Sequence, residues 1–306
     1  MKRILVLRLS ALGDVIHTLP AVAALREEAR VSWVVEAPYA ELVEIVAGVE
    51  AIPVRLKQWG RSPIASRHVM REALKKMRGA DTSIDFQGLV KSAMLGVFAG
   101  AKERIGFDKD AIREKPALVF TNRKVHVDTA THVIEQNLEL AASLWSGGLQ
   151  PAGEPRWAEA HRSTGWETYA PPGEKHGVVI LPGAGKANKL WPATRWREVA
   201  KRTDAIVAWG PNERALAEQL GAPLAPPTNL RELASLLRGA RLVIGGDTGP
   251  LHLAAALGTK VVGLYGPTNS LRNGPYGQLG NCIQKKSMDE ISVESVMNMV
   301  ERVDAE

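Results

Sequence analysis

Residues 245–258 read GGDTGPLHLAAALG, and this stretch holds a strand end, a sharp turn, a helix start and a helix stop. Gly245 and Gly246 let the backbone turn tightly, Pro250 suits a first helical turn because it lacks an N–H, and Gly258 ends the helix. Just upstream, RLVIGG (241–246) is an apolar run; just downstream, KVVGLYG (260–266) is another. A strand, a helix and a second strand in that order form a parallel βαβ unit.

The same alternation extends outward in both directions. GVVILP (177–182) and AIVAWG (205–210) are further strand-like runs of the second half, and each is followed by a turn and a helical pattern. In the first half, RILVLRL (3–9) precedes a helix opening near Gly13, VSWVVE (31–36) follows, and TSIDF (82–86) leads into LVKSAMLGVFAG (89–100). The fold class is therefore α/β, with two doubly wound parallel sheets. Between the halves, residues 146–177 are rich in Gly and Pro and show neither period, as a linker does. The expected division is 1–170, 171–288 and a closing amphipathic helix over 289–306, with apolar Ile291, Val293, Val296, Met299 and Val300, that packs back on the first domain.

A length of 306 residues allows two cores, and 45% hydrophobic with 24% charged residues is ordinary globular usage. No apolar run is long enough to span a membrane, and Arg8 and Asp14 interrupt the one near the start, so neither a membrane helix nor a signal peptide is read and a cytoplasmic location is expected. A single cysteine, Cys282, excludes an internal disulfide and a cysteine-rich metal site. The net charge of +6 favours anionic partners, including phosphates, acidic sugars or an anionic membrane face. It also prompts a competing reading, a non-enzymatic anion- or nucleic-acid-binding protein. The eight tryptophans are scattered and no nucleic-acid motif occurs, so no nucleic-acid partner is expected.

Candidate site residues gather beyond strand ends, where ligands of open α/β sheets bind. In LRLSALGDVIHTLPA (7–21) no Gly-rich phosphate loop is present; a carboxylate, Asp14, stands at the helix entrance instead. It already fills the positive end of the helix dipole, so this loop reads as the catalytic side; a plain N-cap is the alternative. His17, one turn on, reads as packing or solvent-facing rather than catalytic. At 247–252 the free N–H groups of Thr248 and Gly249 form an anion site, while Asp247 should point at sugar hydroxyls rather than at phosphate. The loop 181–196 offers small residues for close backbone approach, among them Gly185, with Lys186 and Lys189 as charges for a diphosphate, or as solvated surface lysines. Glu213 lies at a helix start past a strand, where a carboxylate can accept from a ribose diol, or where the helix dipole alone favours it. Gln87 and Lys91, four apart, are expected on one helical face. FDKD (107–110) has D-x-D spacing, but its setting reads as charged rather than as an apolar strand end, so no metal site is expected.

Taken in order, ALGDVIHTLPA, DFQGLVKSA, REKPA, NKLWP, GDTGPLHLAAALG and LYGPT make the chain resemble bacterial lipopolysaccharide heptosyltransferases of glycosyltransferase family 9, over nearly its whole length. Within the family it looks most like the enzymes that add the first heptose. The GAGK loop departs from these toward the second-heptose type. The resemblance implies a GT-B arrangement, two Rossmann-like domains facing a central cleft, and inverting transfer without metal or cofactor. It makes Asp14 the general base, and it places Lys189, Glu213, Asp247, Thr248, Gly249, His252 and Gly185 on the donor side, with ADP-heptose as donor. Gly13, Gln87, Lys91 and Arg113 fall on the side of the acceptor, a Kdo residue on lipid A. It further implies peripheral contact with the cytoplasmic face of the inner membrane, for which Arg61, Arg67, Arg71, Lys75 and Lys76 offer a basic surface, a solvated helix face being the commoner reading of such residues.

Overall fold

The run RILVL forms β1 (Arg3–Leu7), buried from Ile4 onward, because strands covered on both faces tolerate continuous rather than alternating apolar residues. In a computed structural model that describes residues 1–144, 166–171 and 173–305, the chain divides into two units, Met1–Trp166 and Glu167–Glu306. The first unit adds β2 (Arg30–Glu36), β3 (Glu50–Val54), β4 (Thr82–Asp85), β5 (Glu103–Phe107) and β6 (Arg123–Val125). The sheet order is β3-β2-β1-β4-β5-β6, and every pairing is parallel. That is the Rossmann order, and its strand order reverses between β1 and β4. Covering helices include α1 (Leu12–Glu28), α2 (Leu56–Arg61), α3 (Pro63–Met77), α4 (Val90–Phe98) and α5 (Val133–Ala142). Leu5, Leu7, Val34, Ile52 and Val54 of the sheet bury against Trp59, Ala73, Met77 and Leu95 of the helices.

The second unit carries β7 (His176–Leu181), β8 (Ile206–Val207), β9 (Ala240–Gly246), β10 (Lys260–Tyr265) and β11 (Cys282–Gln284). Their order, β11-β10-β9-β7-β8, is again wholly parallel. Counted within the unit it is the doubly wound order that reverses between its first and third strands, here β7 and β9. Its helices include α6 (Ala193–Thr203), α7 (Arg214–Glu218), α8 (Leu230–Gly239), α9 (Gly249–Ala256) and α10 (Val293–Ala305). The run AIVAWG gives a strand of only two residues, β8. The closing helix expected over 289–306 is present as α10. Within its unit α10 buries Val296, Met297, Val300 and Val303 in the core, with Val199 of α6 and Val262 of β10. Of the linker read over 146–177, residues 146–165 and 172 lie outside the described residues; within the rest, Trp166–Tyr169 forms one helical turn. No helix among the described residues is long and apolar enough to cross a membrane.

Candidate active site

In the first unit the switch point between β1 and β4 is built around one carboxylate. Asp14 is the third residue of α1, not its N-cap, which is Ala11. From that position it reaches back to the Ala11 N–H, one half of a capping box. Arg8 Nη2 lies 2.7 Å from Asp14 Oδ1, and Arg113 Nη2 donates to both Oδ1 and Oδ2 at 3.0 Å. Burial works to raise the Asp14 pKa, but Arg8 and then Arg113 outweigh it and hold the group below the ordinary aspartate value. Arg8 itself is buried and donates through Nη1 to the Phe86 carbonyl; burial pulls its pKa down to about 10.

Arg8 was not among the candidates read from sequence. The available signal was its position: a cation at the end of a strand covered on both faces must have an anionic partner.

The loop after β4 holds this arrangement in place. Asp85 is buried, accepts from the N–H groups of Gln87 and Gly88 at 2.9 and 3.1 Å and from Ser92 Oγ at 3.0 Å, and its pKa is pushed up to about 6 by burial. Gln87 Oε1 accepts from Leu9 N at 2.9 Å and Ser10 N at 3.2 Å, tying this loop to the one after β1. Here the sequence expectation fails: Gln87 precedes α4 and is buried, whereas Lys91 is exposed on α4, so the two do not share a helical face. Gly13 is buried in the first turn of α1. His17 packs as expected, edge to face with His132 at 5.5 Å between ring centroids.

FDKD needs correction as well, because Phe107 ends β5 and Asp108 stands directly at a strand end. Asp108, Asp110 and His126 bring ligand atoms within 4.8 Å of one another. These atoms already have partners: Asp108 Oδ1 accepts from the N–H groups of Asp110 and Ala111, its Oδ2 meets His126 Nδ1 at 2.8 Å, and Lys109 pairs with Asp110.

In the second unit the switch point between β7 and β9 gathers the residues read from sequence. Thr248 is the N-cap of α9 but makes no side-chain cap bond, and its buried Oγ1 has no hydrogen-bond partner among the described residues. Asp247 does not cap either. Its Oδ2 lies 2.6 Å from Lys189 Nζ and its Oδ1 3.2 Å from His252 Nε2. Burial would raise its pKa, yet His252 and Lys189 bring it down to about 2. The separate tasks expected of Lys189 and Asp247 thus begin from an ion pair. Lys189 closes a short turn, Ala187–Lys189, pinned by buried Trp191, whose indole N–H donates to the Ile291 carbonyl at 3.0 Å and whose ring meets Trp196 edge to face at 4.8 Å. Gly185 and Lys186 are exposed on the same loop. The Glu213 carboxylate accepts from Gly210 N at 2.7 Å and lies so close over Gly183 that a Cβ there would stand 2.0 Å from its Oε1.

Residues 67–300 match glycosyltransferase family 9 (heptosyltransferase). Lipopolysaccharide heptosyltransferase 1 of Escherichia coli strain K12 is 36% identical to the chain, with 90% of this chain and 91% of that protein covered. The protein of the same description from Salmonella typhimurium is 32% identical, covering 97% and 99%. Among solved structures, the E. coli heptosyltransferase WaaC with ADP superposes with a TM-score of 0.84 at 28% identity, covering 98% of this chain and 99% of that one. Two doubly wound sheets, each with its polar residues at the switch point, and a match over most of the length lead to one assignment: the chain belongs to glycosyltransferase family 9, as an α/β glycosyltransferase of GT-B type.

Proposed function

We propose that the protein transfers a heptose from ADP-L-glycero-D-manno-heptose to a Kdo residue of the lipopolysaccharide inner core, with inversion at the anomeric carbon and no metal in any step. The observation that carries the reading is the Asp14 carboxylate at the β1/β4 switch point, kept ionised by two guanidinium groups. Support for the donor comes from two solved relatives, E. coli WaaC with ADP and with ADP-2-deoxy-2-fluoro heptose.

In this reading the first unit binds the acceptor and the second the donor. Asp14 takes the proton of the acceptor hydroxyl as its oxygen attacks C1 of the heptose, and ADP departs from the opposite face. Lys189, the N-terminus of α9 and the Thr248 hydroxyl receive the charge that grows on the diphosphate. Asp247 fixes the Lys189 ammonium, which has three donors and so retains two for phosphate oxygens. His252 orients Asp247 from the other side. Gly185 and Gly249 let the diphosphate approach the backbone. Glu213, fixed by Gly210, accepts from the ribose. Arg113, Lys91 and Gln87 with Gly13 form the acceptor side. Arg61, Arg67, Arg71, Lys75 and Lys76 are exposed on α2 and α3, a basic surface for peripheral contact with an anionic inner membrane.

Calorimetry with ADP-heptose beside other nucleotide sugars, followed by turnover with Kdo-lipid A and with the same acceptor already carrying one heptose, tests the reading. Preference for the unheptosylated acceptor is expected; preference for the heptosylated one turns the assignment to the second-heptose type, toward which the GAGK loop leans. The ribose assignment has its own test. Gly183→Ala pushes the Glu213 carboxylate aside without touching the core, because the clash is with the end of a flexible side chain. ADP affinity is expected to fall about tenfold by calorimetry, the worth of a charged hydrogen bond, and unchanged affinity removes Glu213 from the donor site.

A further inference from the structure

The two guanidinium groups on Asp14 are not equivalent. The Arg8 side chain is 2% exposed, is tied to the Phe86 carbonyl, and reaches Oδ1. The Arg113 side chain is 47% exposed, comes from the loop after β5, and is the only described side chain that hydrogen-bonds Oδ2. Parting an exposed ion pair costs far less than breaking a buried one, so of the two it is Arg113 that can let go. A general base needs a free lone pair of sufficient basicity within hydrogen-bond reach of the proton it takes; the Arg113 N–H occupies one of the two Oδ2 lone pairs and makes the carboxylate less basic.

We propose that Arg113 is a removable cover on the base: an acidic acceptor draws the Arg113 guanidinium onto its own carboxylate, Oδ2 becomes free for the acceptor's hydroxyl proton, and Arg8 keeps Oδ1 oriented. The proposal rests on the acid-sugar acceptor of the preceding section and adds how that acceptor switches the base on. It also gives the resting arrangement a purpose. With Oδ2 covered, a water molecule is poorly activated for the wasteful reaction in which its oxygen attacks C1, the bond from C1 to the diphosphate oxygen breaks, ADP leaves and the water proton passes to Asp14.

Among the described residues, the charged and titratable groups around Asp14 are few. Arg8 comes from the end of β1 and Arg113 from the loop after β5; Asp85, at the end of β4, lies behind Arg8. The Tyr39 hydroxyl bonds the backbone at Leu12, and His17 is turned into the packing with His132. Loss of Arg113 from the carboxylate on acceptor binding therefore raises the Asp14 pKa in the complex above that in the free enzyme.

ADP release from the sugar nucleotide without acceptor, measured for wild type and Arg113→Gln, is the first readout. The variant is expected to hydrolyse the donor about fivefold faster, roughly the equilibrium worth of a partly exposed ion pair. Second, wild type is expected to turn over an acceptor bearing a carboxylate with a higher kcat than its carboxamide analogue, whereas Arg113→Gln treats the two alike in kcat. Third, the acid limb of kcat should lie about one pH unit above that of kcat/KM in wild type and coincide with it in the variant. Unchanged hydrolysis, or an acid preference in kcat that survives in Arg113→Gln, overturns the proposal. Failure of wild type to use any sugar-nucleotide donor with an acidic acceptor overturns the underlying function instead. The acid-versus-amide comparison in wild type needs no variant to fold.

Discussion

Asp14→Asn is expected to lower turnover by a hundredfold or more, the lower end of what a positioned general base contributes, while ADP affinity stays within about twofold, as for sites that share no partners. Asparagine keeps the size of the side chain and one oxygen for Arg8, but its amide presents a donor to the Arg113 donor. Two charge-assisted bonds weaken and buried Arg8 loses its ion pair, keeping only the Coulombic attraction of Asp85, a loss of about 1–3 kcal/mol. A lower Tm must therefore be separated from lost chemistry, by assaying well below the transition and normalising to the folded fraction. The pH dependence gives a second handle. A base held below the ordinary aspartate value is ionised across the neutral range, so wild-type activity should be flat there and decline only in strong acid. Retention of more than about a tenth of the turnover in Asp14→Asn would remove the residue from the role of base.

Most of the strands that escaped sequence reading share a physical cause. β3 (EAIPV), β6 (RKV) and β11 (CIQ) are edge strands with one neighbour each, and edges tolerate charge, proline and brevity that a search for apolar runs passes over. β5 (ERIGF) was hidden by Gly106, which is small because the Thr121 side chain would stand 2.8 Å from a Cβ there. By contrast, the turn, helix start and Gly258 stop of 245–258 depend on neighbouring residues alone, and α9 with a left-handed Gly258 follows.

The candidate sites divide in the same way. Asp14 was legible because its place after the first strand is local. Its two partners were not, since Arg113 lies 99 positions away and Arg8 looks like an interruption of an apolar run. Lys189 and Asp247, 58 positions apart, meet because β7 and β9 are neighbours in the sheet, an adjacency that no local pattern states. Gln87 misled for the opposite reason: spacing of four implies a shared helical face only inside a helix, and Gln87 sits before α4.

Lys189→Ala is expected to reduce kcat by about a hundred- to a thousandfold, the range found when a preorganised group facing developing charge is removed. The alanine variant loses the ammonium that would face the departing diphosphate, and it leaves Asp247 supported by His252 alone. An acid stability measurement shows whether the ion pair is gone. Asp247, held at about 2 in the folded protein, contributes stability above its unfolded value near 3.8, about 2 kcal/mol, which disappears as the pH falls from about 4 through 2. Without Lys189 its folded pKa rises back toward the unfolded value, so urea unfolding at pH 7 and pH 3 should differ less for the variant than for wild type. The kinetic loss has two possible origins, and a double variant separates them. If the alanine is slow only because an unpaired Asp247 repels the diphosphate, Asp247→Asn in the same chain removes that charge and restores kcat. If Lys189 stabilises the departing ADP directly, the double variant stays at least as slow as the single one, and this is the outcome expected from an ammonium with two donors to spare beyond Asp247.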